Sequence, residues 1–112
     1  MGIDRAQYGE VTVNGKTYYS DLVVWWEGRP ALLEKTHLLD QRLAKRVLKP
    51  GTEAVVIGTG FEGTVKLLPP FTAALKRAKA KLFVDRTENA IDIFNAFAAT
   101  GKKAVAILHV SL

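Results

Sequence analysis

The apolar pattern of this chain changes period partway along. Residues 8–13, Tyr8-Gly9-Glu10-Val11-Thr12-Val13, alternate between apolar and polar and read as a strand. Asn14-Gly15 follows, a strong short hairpin signal because both residues tolerate positive φ. Residues 16–19 are the expected return strand, and Ser20-Asp21 breaks it. Leu22-Val23-Val24-Trp25-Trp26 predicts a third strand, Glu27-Gly28-Arg29-Pro30 a turn, and Ala31-Leu32-Leu33 a short fourth strand. The first third is therefore expected to be a β meander.

From residue 39 a helical period takes over. Leu39, Leu43 and Val47 recur every four residues, with Ala44 and Leu48 widening the stripe. Asp40 is placed as N-cap or first-turn acid, and Pro50-Gly51 closes the helix. Ala54-Val55-Val56-Ile57 is apolar on both faces, which suits a strand covered on both sides. Residues 70–80 predict a second helix with Pro70 in its first turn. Residues 81–85 read as a strand centred on Leu82-Phe83-Val84. A third helix follows, capped by Thr87 or Asp85, with Ala90, Ile91, Phe94, Phe97 and Ala98 on its apolar face and Gly101 just past its end. Residues 103–110 are the last strand. Strands alternating with helices predict a parallel or mixed sheet with helices on both faces. No repeat or linker interrupts the 112 residues, a length that fits one domain, 1–112.

The candidate chemistry lies at strand ends. Gly58-Thr59-Gly60-Phe61-Glu62-Gly63 matches the G-x-G-x-x-G spacing of a dinucleotide loop, and Asp85 lies near where a ribose-binding acid would be expected. That fingerprint needs a helix opening within the glycines, so that its N-terminus meets the pyrophosphate. Here Pro69-Pro70 delays the next helix, and residues before proline avoid helical angles. No dinucleotide cofactor is expected, nor any other. If the strands before Gly58 and Asp85 are parallel neighbours, their loops face one crevice. Gly58, Thr59, Gly60, Phe61, Thr87, Glu88 and Asn89 are its candidate ligand-binding residues, for an anion or a carbonyl. A tight turn and a helix cap account for the same residues.

Other chemistry is weakly supported. The chain has no cysteine, which excludes thiol catalysis and cysteine metal sites. His37 and His109, even with Glu34 or Asp40, lack the ligand spacing of a zinc site, and no metal is expected. Ser20 and Ser111 stand in no nucleophile elbow, and no catalytic residue is assigned. A net charge of +5 permits an acidic partner. The face carrying Arg42, Lys45, Arg46 and Lys49 has no interleaved aromatics, so nucleic acid is not the expected partner. Adjacent Trp25 and Trp26 must point to opposite sides of a strand; one is either an exposed interface anchor or packed beneath a helix or loop. No apolar run reaches the roughly 20 residues of a membrane span, and the N-terminus lacks a signal-peptide pattern, so a cytoplasmic protein is expected.

The ordered set Tyr8-Gly9, Asp21, His37, Val56-Ile57-Gly58-Thr59-Gly60, Thr87-Glu88-x-Ala90, Phe94-Asn95 and Leu108-His109 resembles the small Mth-type domain family. That family includes the adipogenesis-associated Mth domain protein and a mitochondrial assembly factor for respiratory complex I. The resemblance covers nearly the whole chain. It implies a three-layer α/β fold: a mixed central sheet with helices on one face, and helix plus β-hairpin on the other. It implies no reaction to carry over, and it adds Asn95 to the candidate positions. Phe94 stands where relatives often carry tyrosine, so a hydroxyl is missing here. The expectation is a non-catalytic protein-interaction or assembly-factor-like domain, with a small-ligand binder or enzyme using the crevice as the alternative.

Overall fold

The computed structural model describes residues 2–34, 36, 38–61 and 65–110. In chain order its elements are β1 (Ile3–Gln7), β2 (Glu10–Val13), β3 (Lys16–Tyr18), β4 (Asp21–Trp25), β5 (Pro30–Leu33), β6 (Leu38–Leu39), α1 (Gln41–Val47), β7 (Ala54–Thr59), β8 (Lys66–Leu67), α2 (Pro69–Arg77), β9 (Lys81–Asp85), α3 (Thr87–Ala99) and β10 (Ala104–His109).

Five strands form the central sheet in the order β5-β4-β10-β7-β9. β10, β7 and β9 run parallel, and β4 and β5 continue antiparallel. The strand before Gly58 and the strand before Asp85 are thus parallel neighbours, with Gly58 paired to Asp85.

Side-chain alternation divides the core. Val23, Val55, Ile57, Val105 and Ile107 face α1 and α2, meeting Leu43, Val47, Phe71 and Leu75. Leu22, Val24, Val56, Ala106 and Leu108 face the opposite way, against Ala90, Ile91 and Phe94 of α3 and Ile3, Val11 and Val13 of the β1-β2-β3 sheet. This is the expected three-layer arrangement, with helices on one face and a helix plus hairpin strands on the other.

Several local expectations need correction. Tyr8 and Gly9 form a turn, not a strand: Gly9 has φ +84°, and β1 pairs back onto β2 from Ile3 to Gln7. β1 is largely polar, with Ile3 as its buried anchor, so periodicity did not reveal it. The meander stops at β3, and β4 joins the large sheet. Trp26 lies beyond the end of β4. α2 begins at Pro69 and ends at Arg77, because Lys79 reverses the chain at φ +58° without a glycine to signal it. Other local features agree with the sequence. Asn14 and Gly15 turn at φ +51° and +81°. Asp40 caps α1, its carboxylate accepting from the Leu43 N–H at 3.0 Å. Trp25 is buried beneath α1 and donates its indole N–H to the Val47 carbonyl at 2.9 Å. Trp26 is half-buried against the same cluster.

Candidate functional site

The carboxyl ends of β10, β7 and β9 and the start of β4 meet at one end of the central sheet. They gather His109, Gly58, Thr59, Gly60, Asp85, Thr87 and Asp21. This is where an open α/β sheet usually receives a ligand. Most of the polar groups here hydrogen-bond one another.

Thr87 is fully buried. Thr87 or Asp85 was expected as the cap of α3, but the N-cap is Arg86 and Thr87 is the first helical residue. Its hydroxyl reaches the strand ends instead, donating to the His109 carbonyl and accepting from the Gly60 N–H at 3.0 Å. The Thr87 N–H returns to the Gly60 carbonyl at 3.2 Å. Gly60 can make this clamp because it turns at φ +90°, a region closed to most side chains. Gly58 has a different task. A Cβ there would lie 2.9 Å from Thr87 Oγ1, 3.1 Å from Thr87 Cα and 3.2 Å from a Leu108 methyl. The missing side chain lets α3 seat against β7.

The remaining groups are similarly committed. Thr59 Oγ1 donates to the Asp85 carbonyl at 3.2 Å. The Asp85 carboxylate accepts from the Arg86 N–H at 2.7 Å and from Asn89 Nδ2 at 3.1 Å. The Asn89 bond, then the Arg86 N–H and charge, hold the Asp85 carboxyl below its ordinary value of 3.8. Phe61 is half-buried against the α3-side core, and Glu88 and Asn89 are exposed. These candidates do converge on one end of the sheet.

Asn95 does not join them. It sits eight residues further along α3 than Thr87, roughly 12 Å at helical rise. Its amide clamps β1 in both directions, accepting from the Ile3 N–H at 2.9 Å and donating to the Ile3 carbonyl at 2.7 Å.

Two further groups stand at this end of the sheet that were not among the candidate crevice residues. Asp21 is buried, and its carboxylate accepts from the Val110 N–H at 2.9 Å. The Val110 carbonyl in turn accepts from the Gly9 N–H at 2.7 Å. An acid directly before an apolar strand was the available signal, although the sequence alone suggested a strand break. His109 is 1% exposed, with Nδ1 3.0 Å from the Gly58 carbonyl. A carbonyl only accepts, so Nδ1 carries the proton. Its Nε2 has no hydrogen-bond partner among the described residues.

His37 and Gly63 lie outside the described residues. Among those described, no group of three or more His, Cys, Asp or Glu side chains could hold a metal ion. None of the described helices is long and apolar enough to cross a membrane. Of the basic helix face, Arg46 is bound to the Leu32 carbonyl at 2.9 Å. Lys49 falls beyond α1, which ends at Val47; it pairs with Glu27 at 3.2 Å and stands over the Trp25 ring at 4.5 Å. Surface grooves lie elsewhere among the described residues. One, of about 760 Å³, runs between β5 and α1, one of about 540 Å³ is lined by Gly51, Thr52, Lys79 and Lys102, and one of about 430 Å³ lies between α2 and β9.

Solved structures share the architecture. A conserved hypothetical protein of Pyrococcus horikoshii is 24% identical, covers 100% of both chains and superposes with a TM-score of 0.88. A protein described as an outer membrane protein of Bartonella henselae is 20% identical over 99% of this chain and 95% of that one, with a TM-score of 0.84. The protein named MT938 is 22% identical over 99% and 98%, with a TM-score of 0.82. At these identities the likeness is one of fold. The sequence model of the DUF498 family, described as a protein of unknown function (DUF498/DUF598), matches residues 3–109, and the chain belongs to that family.

Proposed function

We propose that this domain is non-catalytic and acts through contacts with another protein, in the manner of an assembly factor. The observation that carries the reading is the Thr87 hydroxyl, which is held at both its donor and acceptor sides by strand-end backbone. A hydroxyl donating to a carbonyl is not activated as a nucleophile, which needs an adjacent base. The Thr87 N–H and the Thr59 hydroxyl are spent in the same way. Apolar side chains stand outside instead: Leu32 is 61% exposed on the edge strand β5, and Leu38 is 52% exposed on β6. The resemblance to the Mth-type family, with its assembly-factor member, points in the same direction.

The test is affinity capture with the wild-type chain and a Leu32→Lys variant, checked for unchanged circular dichroism. The expected result is a defined protein captured by the wild type and lost by the variant. A thermal-shift hit from nucleotides, phosphates or small carboxylates would contradict the reading. A ligand at about 100 times its dissociation constant adds about 2.7 kcal/mol. A second reading, a small anion or carbonyl ligand in the crevice of residues 58–61 and 87–89, has one observation in its favour. The buried His109 Nε2 at that end of the sheet is unpartnered among the described residues. The same screen tests it: a hit retained by Leu32→Lys and lost by His109→Asn supports this reading.

A further inference from the structure

The two edges of the central sheet are treated differently. Arg29, just before β5, and Leu33 direct their carbonyls inward, to the Trp25 N–H at 3.1 Å and the Ser20 hydroxyl at 3.4 Å. Strand alternation therefore turns Pro30 and Leu32 outward. Pro30 has no N–H to offer, and the Leu32 carbonyl is already taken by the Arg46 guanidinium at 2.9 Å. That edge is blocked against further pairing.

β9 carries no such block. The Lys81 N–H points inward, to the Glu53 carbonyl at 3.0 Å, and the Asp85 carbonyl accepts from Thr59 at 3.2 Å. Leu82 and Val84 therefore present their N–H and C=O groups outward, and no described strand or side chain pairs with them. Val84 is 48% exposed. Its face continues into the groove between α2 and β9, lined by Thr72, Ala73 and Leu82.

The sequence of this edge, Lys81-Leu82-Phe83-Val84-Asp85, complements itself. Two antiparallel copies related by a two-fold axis at Phe83 set each Leu82 opposite Val84 of the second copy. Leu82 and Val84 carry the outward backbone groups, so these positions exchange both hydrogen bonds. Each Lys81 then faces Asp85 of the second copy at a non-hydrogen-bonded position, where Cα atoms approach to about 4.5 Å. Asp85 has an oxygen for this contact, because Arg86 and Asn89 both bind Oδ1. Centring the axis on Leu82 would set Lys81 against Phe83, and centring it on Val84 would set Asp85 against Phe83. The charges that guard this edge against other strands thus fit a second copy in one register.

We propose that β9 is a homodimerisation edge, joining two copies of this chain through an antiparallel Leu82–Val84 ladder closed at both ends by Lys81–Asp85 pairs. The interface is isologous, as a two-fold dimer requires. It is independent of the partner reading above, which uses the β5 side.

The experiment is light-scattering mass measurement of the purified chain over a concentration series, with amide hydrogen exchange read at Leu82 and Val84. The wild type is expected at twice the chain mass, with both amides protected. Lys81→Glu and Val84→Pro are expected as folded monomers by circular dichroism. Lys81→Glu combined with Asp85→Lys is expected to restore the dimer. A wild type that is monomeric at all concentrations overturns the proposal. So does a dimer unaffected by Lys81→Glu and Val84→Pro, or a double variant that fails to re-pair. Loss of heterologous capture by Leu32→Lys with the dimer intact leaves this proposal standing, which separates its fate from that of the partner reading.

Discussion

At the scale of single residues, close approach explains the glycine and threonine that drew attention in the sequence. Gly58 is needed because Thr87 and Leu108 occupy the space a Cβ would take. Gly58→Ala should therefore cost about 1–3 kcal/mol, the usual range for overpacking, read as a lower melting temperature. A variant as stable as the wild type would show that α3 does not seat as closely as described. Asp85 makes a pH-dependent contribution. Its folded pKa is lowered, first by the Asn89 hydrogen bond. It therefore stabilises the fold at pH values above 3.8, and the contribution is lost as pH falls below that value. Asn89→Ala should raise the Asp85 pKa toward 3.8, measured by NMR titration of its carboxyl carbon. The glycine spacing was legible in the sequence. Its purpose was not, because the atom that fills the space belongs to a residue 29 positions away, at Thr87.

At the scale of elements, period and punctuation located most helices and strands. Asp40 opened α1, Asn14-Gly15 made the β2–β3 turn, and the apolar runs at β7 and β10 became buried strands. What failed did so for identifiable reasons. β1 buries Ile3 alone as a large anchor and is held by the Asn95 amide from 92 positions away, a contact no local pattern encodes. Asn95→Ala should leave the Ile3 backbone pair without its partners. The expected loss is about 1–3 kcal/mol, together with faster hydrogen exchange in β1. Exchange unchanged from the wild type would mean that packing on Val11 and Val13 suffices. α3 shows a similar limit: a threonine before an acid resembles a cap, yet the hydroxyl served distant strand ends.

At the scale of the whole molecule, alternation along β4, β7 and β10 sorts the core into two clusters and fixes which helices cover which face. That arrangement was legible from the run of elements and from the family resemblance together. The strand order was not, because β10 lies between β4 and β7, strands far from it along the chain. The end of β10 is tied by Thr87, Asp21, Gly9 and Gly58, from elements spread along the chain. The carboxyl end of the sheet is a clasp for the last strand. The net charge of +5 is partly committed too, with Arg46 and Lys49 bound to their own protein.

The most direct test of this clasp is equilibrium urea unfolding of Thr87→Val, which keeps the side-chain shape and removes the hydroxyl. The Gly60 N–H and His109 carbonyl would both lose a buried partner, at about 1–3 kcal/mol each. A working clasp predicts a loss of at least about 2 kcal/mol, with an unchanged dependence on urea. A loss below about 0.5 kcal/mol, within the range of ordinary surface substitutions, would contradict it and leave the hydroxyl free for a ligand.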